Sequence, residues 1–257
     1  MGEDKPNNVE SRSNSCRMLA VTGTDTEIGK TVITMSLAVR ARALGLRVAA
    51  MKPIESGIAA RGVVRVATGD EQATLSDAEQ LARAAGADDD IDMVGPIVLA
   101  EPLAPMMAAW RAGVTIDLSV LDRARDSLSS NRDLLLVEGA GGILAPITRD
   151  YSFASLFKRW SADVVIVAGN RLGVLNHTLL TVRAAESEGL NIRAVVLTDI
   201  SDRDPSIAEA TNYDALVALL PRYPIHRFPW IDRLDDSSAL SAAVAGAGLD
   251  TVLLPAA

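Results

Sequence analysis

Met18-Leu19-Ala20-Val21-Thr22-Gly23-Thr24-Asp25-Thr26-Glu27-Ile28-Gly29-Lys30-Thr31 is the stretch from which the architecture can be read. An apolar run over residues 18–21 enters a tight, glycine-bounded turn, and Gly29-Lys30-Thr31 opens an amphipathic stretch over residues 30–44. Strand, loop and helix in that order bring backbone N–H groups and a helix N-terminus together on a phosphate. Lys30 is placed to reach β- and γ-phosphates, and the Thr31 hydroxyl to hold Mg²⁺. The spacing is a variant, because Gly23 and Gly29 stand one residue further apart than usual and Thr24 takes the first-glycine position. Taken alone, the segment also fits a plain glycine turn before an ordinary helix.

The same alternation continues outward. Short apolar runs at residues 48–51, 134–137, 164–168 and 194–197 alternate with helical patterns at 76–85, 118–129, 152–160, 174–188 and 207–220. Unbroken apolar runs fit strands buried on both faces. Helical connections between parallel strands give an α/β, P-loop NTPase-like fold: a doubly wound, mainly parallel sheet with helices on both faces. Residues 54–70 read as an irregular loop, and Pro221, Pro224 and Pro229 break the chain beyond residue 220 into turns. The expected organisation is a flexible N-terminal tail over residues 1–16 and a single domain over 17–257.

Composition narrows the function classes. The chain has 257 residues, 49% hydrophobic and 23% charged, with a net charge of -8. That balance is globular, and an acidic surface disfavours nucleic acid as a partner. One cysteine and two histidines exclude a disulfide framework and a standard structural zinc site. The polar N-terminus has no apolar segment of a secretory signal, and no 18-residue stretch is apolar enough to span a bilayer. A cytoplasmic protein without membrane or nucleic-acid partners is expected. Among 25 basic residues only Lys5, Lys30, Lys52 and Lys158 are lysines.

Two further segments carry chemistry. Leu134-Leu135-Leu136-Val137-Glu138-Gly139-Ala140-Gly141-Gly142 runs an apolar strand into an acid and then into glycines that let a ligand approach the backbone. Glu138 can bind Mg²⁺ directly or through water, or simply cap a loop. Lys52 leaves a buried run just before Pro53 and needs an anionic partner, a nucleotide or a reaction anion. Ser56-Gly57 follows, where a hydroxyl and open backbone can touch substrate. Asp77, in Leu75-Ser76-Asp77-Ala78, opens a helix and reads equally as a helix cap or a ligand.

Together these motifs, with Lys52-Pro53-Ile54-Glu55-Ser56-Gly57, Ala100-Glu101-Pro102 and Leu172-Gly173-Val174-Leu175-Asn176-His177, resemble the ATP-dependent dethiobiotin synthetase family over about residues 18–230. Asp25 stands where related septum-site, partition and nitrogenase-iron-protein ATPases carry a signature lysine. The resemblance implies a cyclo-ligase that uses ATP, CO₂ and 7,8-diaminopelargonate. It proceeds through a carbamate and a carbamic-phosphoric anhydride, with Mg²⁺ as cofactor and a homodimer whose site lies at the interface. By the same resemblance Lys30, Lys52, Thr26 and Glu27 are catalytic, and Thr31, Asp77 and Glu138 hold the metal. Nucleotide contacts fall to residues 27–32 (Glu27, Ile28, Gly29, Lys30, Thr31, Val32), Asp77, Glu138, Gly139, Ala140, Gly141, Thr198, Asp199, Phe228, Pro229 and Trp230. Substrate contacts fall to Ser56 and to Gly173, Val174, Leu175 and Asn176. The last four open a helix that serves as an anion site for the partner subunit, and His177 behind them reads as a structural residue.

Three departures from the family pattern bear on the site. Met106 replaces a usual histidine, Thr198 replaces the asparagine of an Asn-Asp pair, and residues 225–230 lack a usual glycine. Threonine lacks the amide that offers an acceptor and an NH₂ donor side by side to a base edge, so relaxed nucleotide preference is expected. Other readings of the same fold are another P-loop ATP-dependent ligase, such as a cobyrinate-amidating type, and a non-catalytic regulatory nucleotide-binding protein.

Overall fold

The computed structural model describes residues 16–60, 63–65, 71–73, 75–86 and 88–254. The expected tail thus lies outside the described residues except for Cys16, which immediately precedes the first strand. The first half of the chain forms β1 (Arg17–Gly23), α1 (Lys30–Ala43), β2 (Val48–Met51), β3 (Ile54–Ser56), β4 (Ile58–Ala60), β5 (Val63–Arg65), β6 (Glu71–Ala73), α2 (Asp77–Ala85), α3 (Ile91–Val94), β7 (Ile97–Leu99), α4 (Pro105–Ala112) and α5 (Leu118–Ser129). The second half forms β8 (Leu134–Gly142), β9 (Pro146–Thr148), β10 (Tyr151–Ser152), α6 (Phe153–Arg159), β11 (Asp163–Gly169), α7 (Val174–Ser187), β12 (Ile192–Thr198), α8 (Ile207–Leu219), β13 (Ile225–Phe228), α9 (Ser237–Gly246) and α10 (Asp250–Leu253).

Six strands form the central sheet in the order β13-β12-β11-β1-β8-β2, and every pairing is parallel. The apolar runs are unbroken because both faces are covered. In β1, Leu19 and Val21 pack on one face and Ala20 on the other; in β8, Leu134 and Leu136 oppose Leu135 and Val137. One face carries α1, α2, α9 and α10, tied by a bidentate Arg40–Asp250 pair at 2.8 and 2.6 Å. Trp160, Phe153 and Phe157 of the α6 segment fill the opposite face.

Two expectations need correction. Residues 54–70 are not simply a loop: β3 pairs in parallel with β7, and β4, β5 and β6 make an antiparallel three-stranded sheet, with residues 66–70 outside the described set. The chain beyond residue 220 is likewise more than turns. β13 is the sixth strand of the main sheet, and α9 buries Leu240 and Val244 against it. Pro224 and Pro229 bracket β13, where a missing N–H is tolerated at a sheet margin.

The order of the sheet positions the site. From β1 the chain runs out to β2 and comes back to β8 beside β1, then crosses β1 to β11, β12 and β13, so the winding reverses at β1, and such switch points bind ligands outside the C-terminal strand ends. Residues following β1, β2, β8, β12 and β13 meet there around a cavity of about 950 Å³.

Candidate active site

The loop between β1 and α1 forms the floor. Gly29 takes φ 92° as the residue before α1, a left-handed conformation that L side chains rarely adopt. Glu27 is also left-handed, at φ 54° without being glycine, a strain of order 1–3 kcal/mol that is tolerated where the surroundings impose it. Thr26 and Glu27 are exposed at the loop tip, while Ile28 is buried and anchors the loop. A Cβ on Gly23 would lie 2.8 Å from Ile28 Cδ1 and 2.9 Å from the Asp25 carbonyl, so this glycine is required by close packing.

Lys30 is 7% exposed, and its Nζ donates to the Asp25 carbonyl across the loop at 2.7 Å. Burial, then the nearby Lys52 ammonium, pulls its pKa down to about 8. An anion placed in the loop would relieve both effects.

Beside it lies a charged cluster built from three elements. Glu138, within β8 and next to Val21 of β1 in register, is fully buried. Its Oε1 accepts from Lys52 Nζ at 2.5 Å and from Thr31 Oγ1 at 2.9 Å. Lys52 also meets Asp77 Oδ2 at 2.8 Å. Burial alone would lower the Lys52 pKa, but Glu138 and Asp77 outweigh it and hold the ammonium well above the usual lysine range. Burial would raise the Asp77 pKa, yet Lys52, a hydrogen bond from Thr31 and Lys30 together move it below the ordinary value. Asp77 does not cap its helix. Ser76 is the cap, in a reciprocal box with Glu79, and the Asp77 carboxylate turns to Lys52.

Glu55 was not singled out from the sequence, and it lines the same cavity. It is 3% exposed, accepts from the Asp77 N–H at 2.5 Å, and burial followed by the Asp77 charge pushes its pKa up to about 7. The signal available for it was an acid inside an otherwise apolar short run between Lys52 and Ser56.

The wall that adjoins the phosphate loop beyond β12 and β13 is largely apolar. Ile200, Ile231 and Leu234 join Phe228, Pro229 and Trp230. None of the first three was expected. Thr198 lies in this wall, but its hydroxyl donates to the Ile28 carbonyl at 2.7 Å and also lies 3.2 Å from Ala168 O. Asp199 is held by Asn170 Nδ2 at 3.0 Å and by Arg227. Asn212 in turn donates to Asn170 Oδ1 at 2.9 Å, which makes a buried amide network behind the wall.

Most expected site residues therefore share one cavity: residues 26–32, Lys52, Ser56, Asp77, Glu138, Ala140, Gly141, Thr198, Asp199 and residues 228–230 all line it. Gly139 does not; it sits under the cavity, where a Cβ would approach Phe157 Cζ at 3.2 Å. Gly173, Val174, Leu175 and Asn176 are also outside the cavity wall, at the start of α7 on the same chain. Gly173 has φ 94° with nothing near its Cβ position, and Leu172 beside it is 87% exposed. The preceding Arg171 pairs with Asp25 of the phosphate loop at 2.7 Å, so this helix start lies near the loop even though it does not enter the cavity.

Among described residues, no cluster of three His, Cys, Asp or Glu side chains is arranged for a metal, and no helix is long and apolar enough to cross a membrane. Thr31, Asp77 and Glu138 nonetheless offer only hard oxygen donors, and Glu138 Oε2 is buried with no hydrogen-bond partner. That set fits Mg²⁺, which needs few protein ligands beside water and phosphate oxygens.

Comparison with known proteins places this geometry. The family described as an AAA domain matches residues 17–238. A dethiobiotin synthetase of Anaeromyxobacter dehalogenans (strain 2CP-C) is 38% identical over 215 residues, 83% of this chain and 90% of the relative. Those of Methanocaldococcus jannaschii and Escherichia coli O157:H7 are 36% and 32% identical, spanning 72% and 85% of this chain and 81% and 93% of theirs. The MinC:MinD cell division complex of Aquifex aeolicus aligns with a TM-score of 0.50 at 14% identity, covering 94% of this chain and 98% of that one, a likeness of fold alone. With identities above 30% spread along nearly the whole of these relatives, this chain belongs to the ATP-dependent dethiobiotin synthetase family.

Proposed function

We propose that this chain closes the ureido ring of dethiobiotin from 7,8-diaminopelargonate, CO₂ and ATP. The observation that carries the reading is the buried Lys52, bracketed by Glu138 and Asp77 within reach of a phosphate loop. Lys30 takes the β- and γ-phosphates and leaves its loop carbonyl to do so. Lys52 faces the carbamate and the transferring phosphoryl group. The carbamate oxygen bonds to the γ-phosphorus as the bond to the ADP oxygen breaks; the second amine then attacks the carbamate carbon and phosphate departs. Little covalent help is needed from the protein, so positioning and charge neutralisation dominate. Thr31, Asp77 and Glu138 would hold Mg²⁺, which supplies charge neutralisation at phosphate oxygens. Thr26, Glu27 and Ser56 line the substrate side.

The exposed start of α7, Gly173 to Asn176, is read as the anion site for the substrate carboxylate of a partner subunit. The exposed Leu172 before it and the open space at Gly173 are compatible with a homodimer that presents this helix start to its partner. A single-subunit mass in sedimentation equilibrium with both substrates bound would contradict this. The enzyme is read as cytoplasmic, a single domain over residues 17–257.

Incubation of the purified chain with diaminopelargonate, bicarbonate and Mg-ATP tests the activity. Phosphate release is expected only when the diamine is present, with one dethiobiotin per phosphate by mass spectrometry. Phosphate released without the diamine, at an equal rate, would reject the reading.

Base preference follows from the wall. The Thr198 hydroxyl is committed to Ile28, and Asp199 is shared by Asn170 and Arg227, so few side-chain groups remain to read a base edge. Without a dedicated bidentate contact, discrimination falls by ~1–3 kcal/mol, roughly tenfold to a hundredfold. GTP and CTP are expected to support turnover at a substantial fraction of the ATP rate. An ATP preference in kcat/KM above about a thousandfold would show that backbone groups or Asp199 read the base.

A further inference from the structure

We propose that Glu55 is a positioning residue that fixes Asp77 opposite Lys52 and Thr31 by gripping the first turn of α2 from a different strand. The proposal deepens the reading of the site as a metal-nucleotide centre and rests on it. The first turn of α2 has four N–H groups to satisfy. Ser76 N donates to Glu79 Oε2 at 2.7 Å and Glu79 N to Ser76 Oγ at 3.3 Å, a pair that travels with the helix. Asp77 N donates to Glu55 Oε1 at 2.5 Å, and Ala78 N lies 3.5 Å from Glu55 Oε2. Among the described residues, only Glu55, 22 positions before Asp77, bonds these groups from outside the helix.

Glu55 is itself held firmly. β3 pairs with β7 with Glu55 opposite Val98, and Lys52 N, just before that strand, donates to Val94 O at 2.7 Å. One short segment thus carries both the ammonium that Asp77 meets and the carboxylate that holds the Asp77 backbone. Between this segment and Asp77 the chain passes through β4, β5 and β6, so nothing local in sequence sets the Asp77–Lys52 separation. A further carboxylate buried beside Asp77 is electrostatically unfavourable, a cost offset where its oxygens hold the helix start in place. A shift of about 1 Å in such a group can cost around a hundredfold in rate.

Two substitutions separate reach from charge. Glu55→Gln keeps an amide oxygen at the same reach without charge, and Glu55→Asp keeps charge but withdraws it by one methylene. Both are read in the full chain by turnover and by the affinity of Mn²⁺ for the complex with a non-hydrolysable ATP analogue, measured by electron paramagnetic resonance. Glu55→Gln should stay within about threefold of the parent in both, whereas Glu55→Asp should lose about tenfold in Mn²⁺ affinity and more in kcat, with the diamine KM little changed. Placed on Asp77→Asn, Glu55→Asp should cost no further Mn²⁺ affinity, because the two act through one group. The reverse ranking, independent effects in the double variant, or a change confined to the diamine KM would overturn the proposal. The Mn²⁺ measurement stands even if no dethiobiotin is formed, so failure of the proposal and failure of the functional reading are told apart.

Discussion

Replacing Lys30 by alanine is expected to lower kcat/KM by about 10²–10³ while leaving the melting temperature within a few degrees of the parent. The two halves of that result have separate causes. The side chain is 7% exposed and burial has moved its pKa down to about 8, so the empty protein gains little from the charge. Among the described residues Nζ donates only to the Asp25 carbonyl, which the loop can offer to water instead. The triphosphate has no such substitute, because the transferring group develops charge against this ammonium. Turnover within about tenfold of the parent would remove Lys30 from the reacting phosphates.

Lys52→Gln should behave differently, with a large loss of kcat, modest change in nucleotide affinity and a clear loss of stability. Here the ammonium neutralises a fully buried Glu138 at 2.5 Å and Asp77 at 2.8 Å. Removing one partner of such a buried pair costs about 3–5 kcal/mol, or roughly 6–20 °C in melting temperature for a chain of this size. Adding Glu138→Gln should return part of the stability and none of the activity. Calorimetry on the single and double variants checks the first half, and pre-steady-state phosphate release checks the second. A Lys52 variant with unchanged kcat and weakened nucleotide binding would make it a ground-state binding residue.

The contrast between these lysines marks what could be read from the chain alone. Lys52 stood out as a lysine leaving an apolar run and Lys30 as the lysine that opens a helix after Gly29; the phosphate loop and Glu138 were legible from strand–loop–helix order, while Asp77 read equally as a cap or a ligand. That Lys52 lies between two acids was not legible, because Asp77 and Glu138 come from α2 and β8 and meet it only in three dimensions. The buried strands β2, β8, β11 and β12 showed plainly because both faces are covered, which leaves no polar residue to interrupt them. β13 did not, since Ile225-His226-Arg227-Phe228 is a four-residue edge strand with two polar residues at its centre, lying between prolines. β4, β5 and β6 are three residues each, too short for any period to register. The family resemblance counted Thr198 among the nucleotide contacts; it lines the cavity, with its hydroxyl bonded to Ile28, a partner 170 residues away that the sequence does not announce. Glu55 escaped for the same reason: its bond joins β3 to the start of α2, a partner 22 residues away.

The fate of one oxygen atom tests the account most directly. With ¹⁸O-labelled bicarbonate, equilibrated CO₂ gives a carbamate carrying the label on both oxygens. If the carbamate attacks the γ-phosphorus beside Lys52, one labelled oxygen becomes the bridge of the mixed anhydride and leaves with phosphate when the ring closes. Mass spectrometry should find one ¹⁸O in each phosphate and one in the ureido carbonyl of dethiobiotin. Unlabelled phosphate would mean that water, not the carbamate, takes the phosphoryl group, and the role given to the Lys52 cluster would fall.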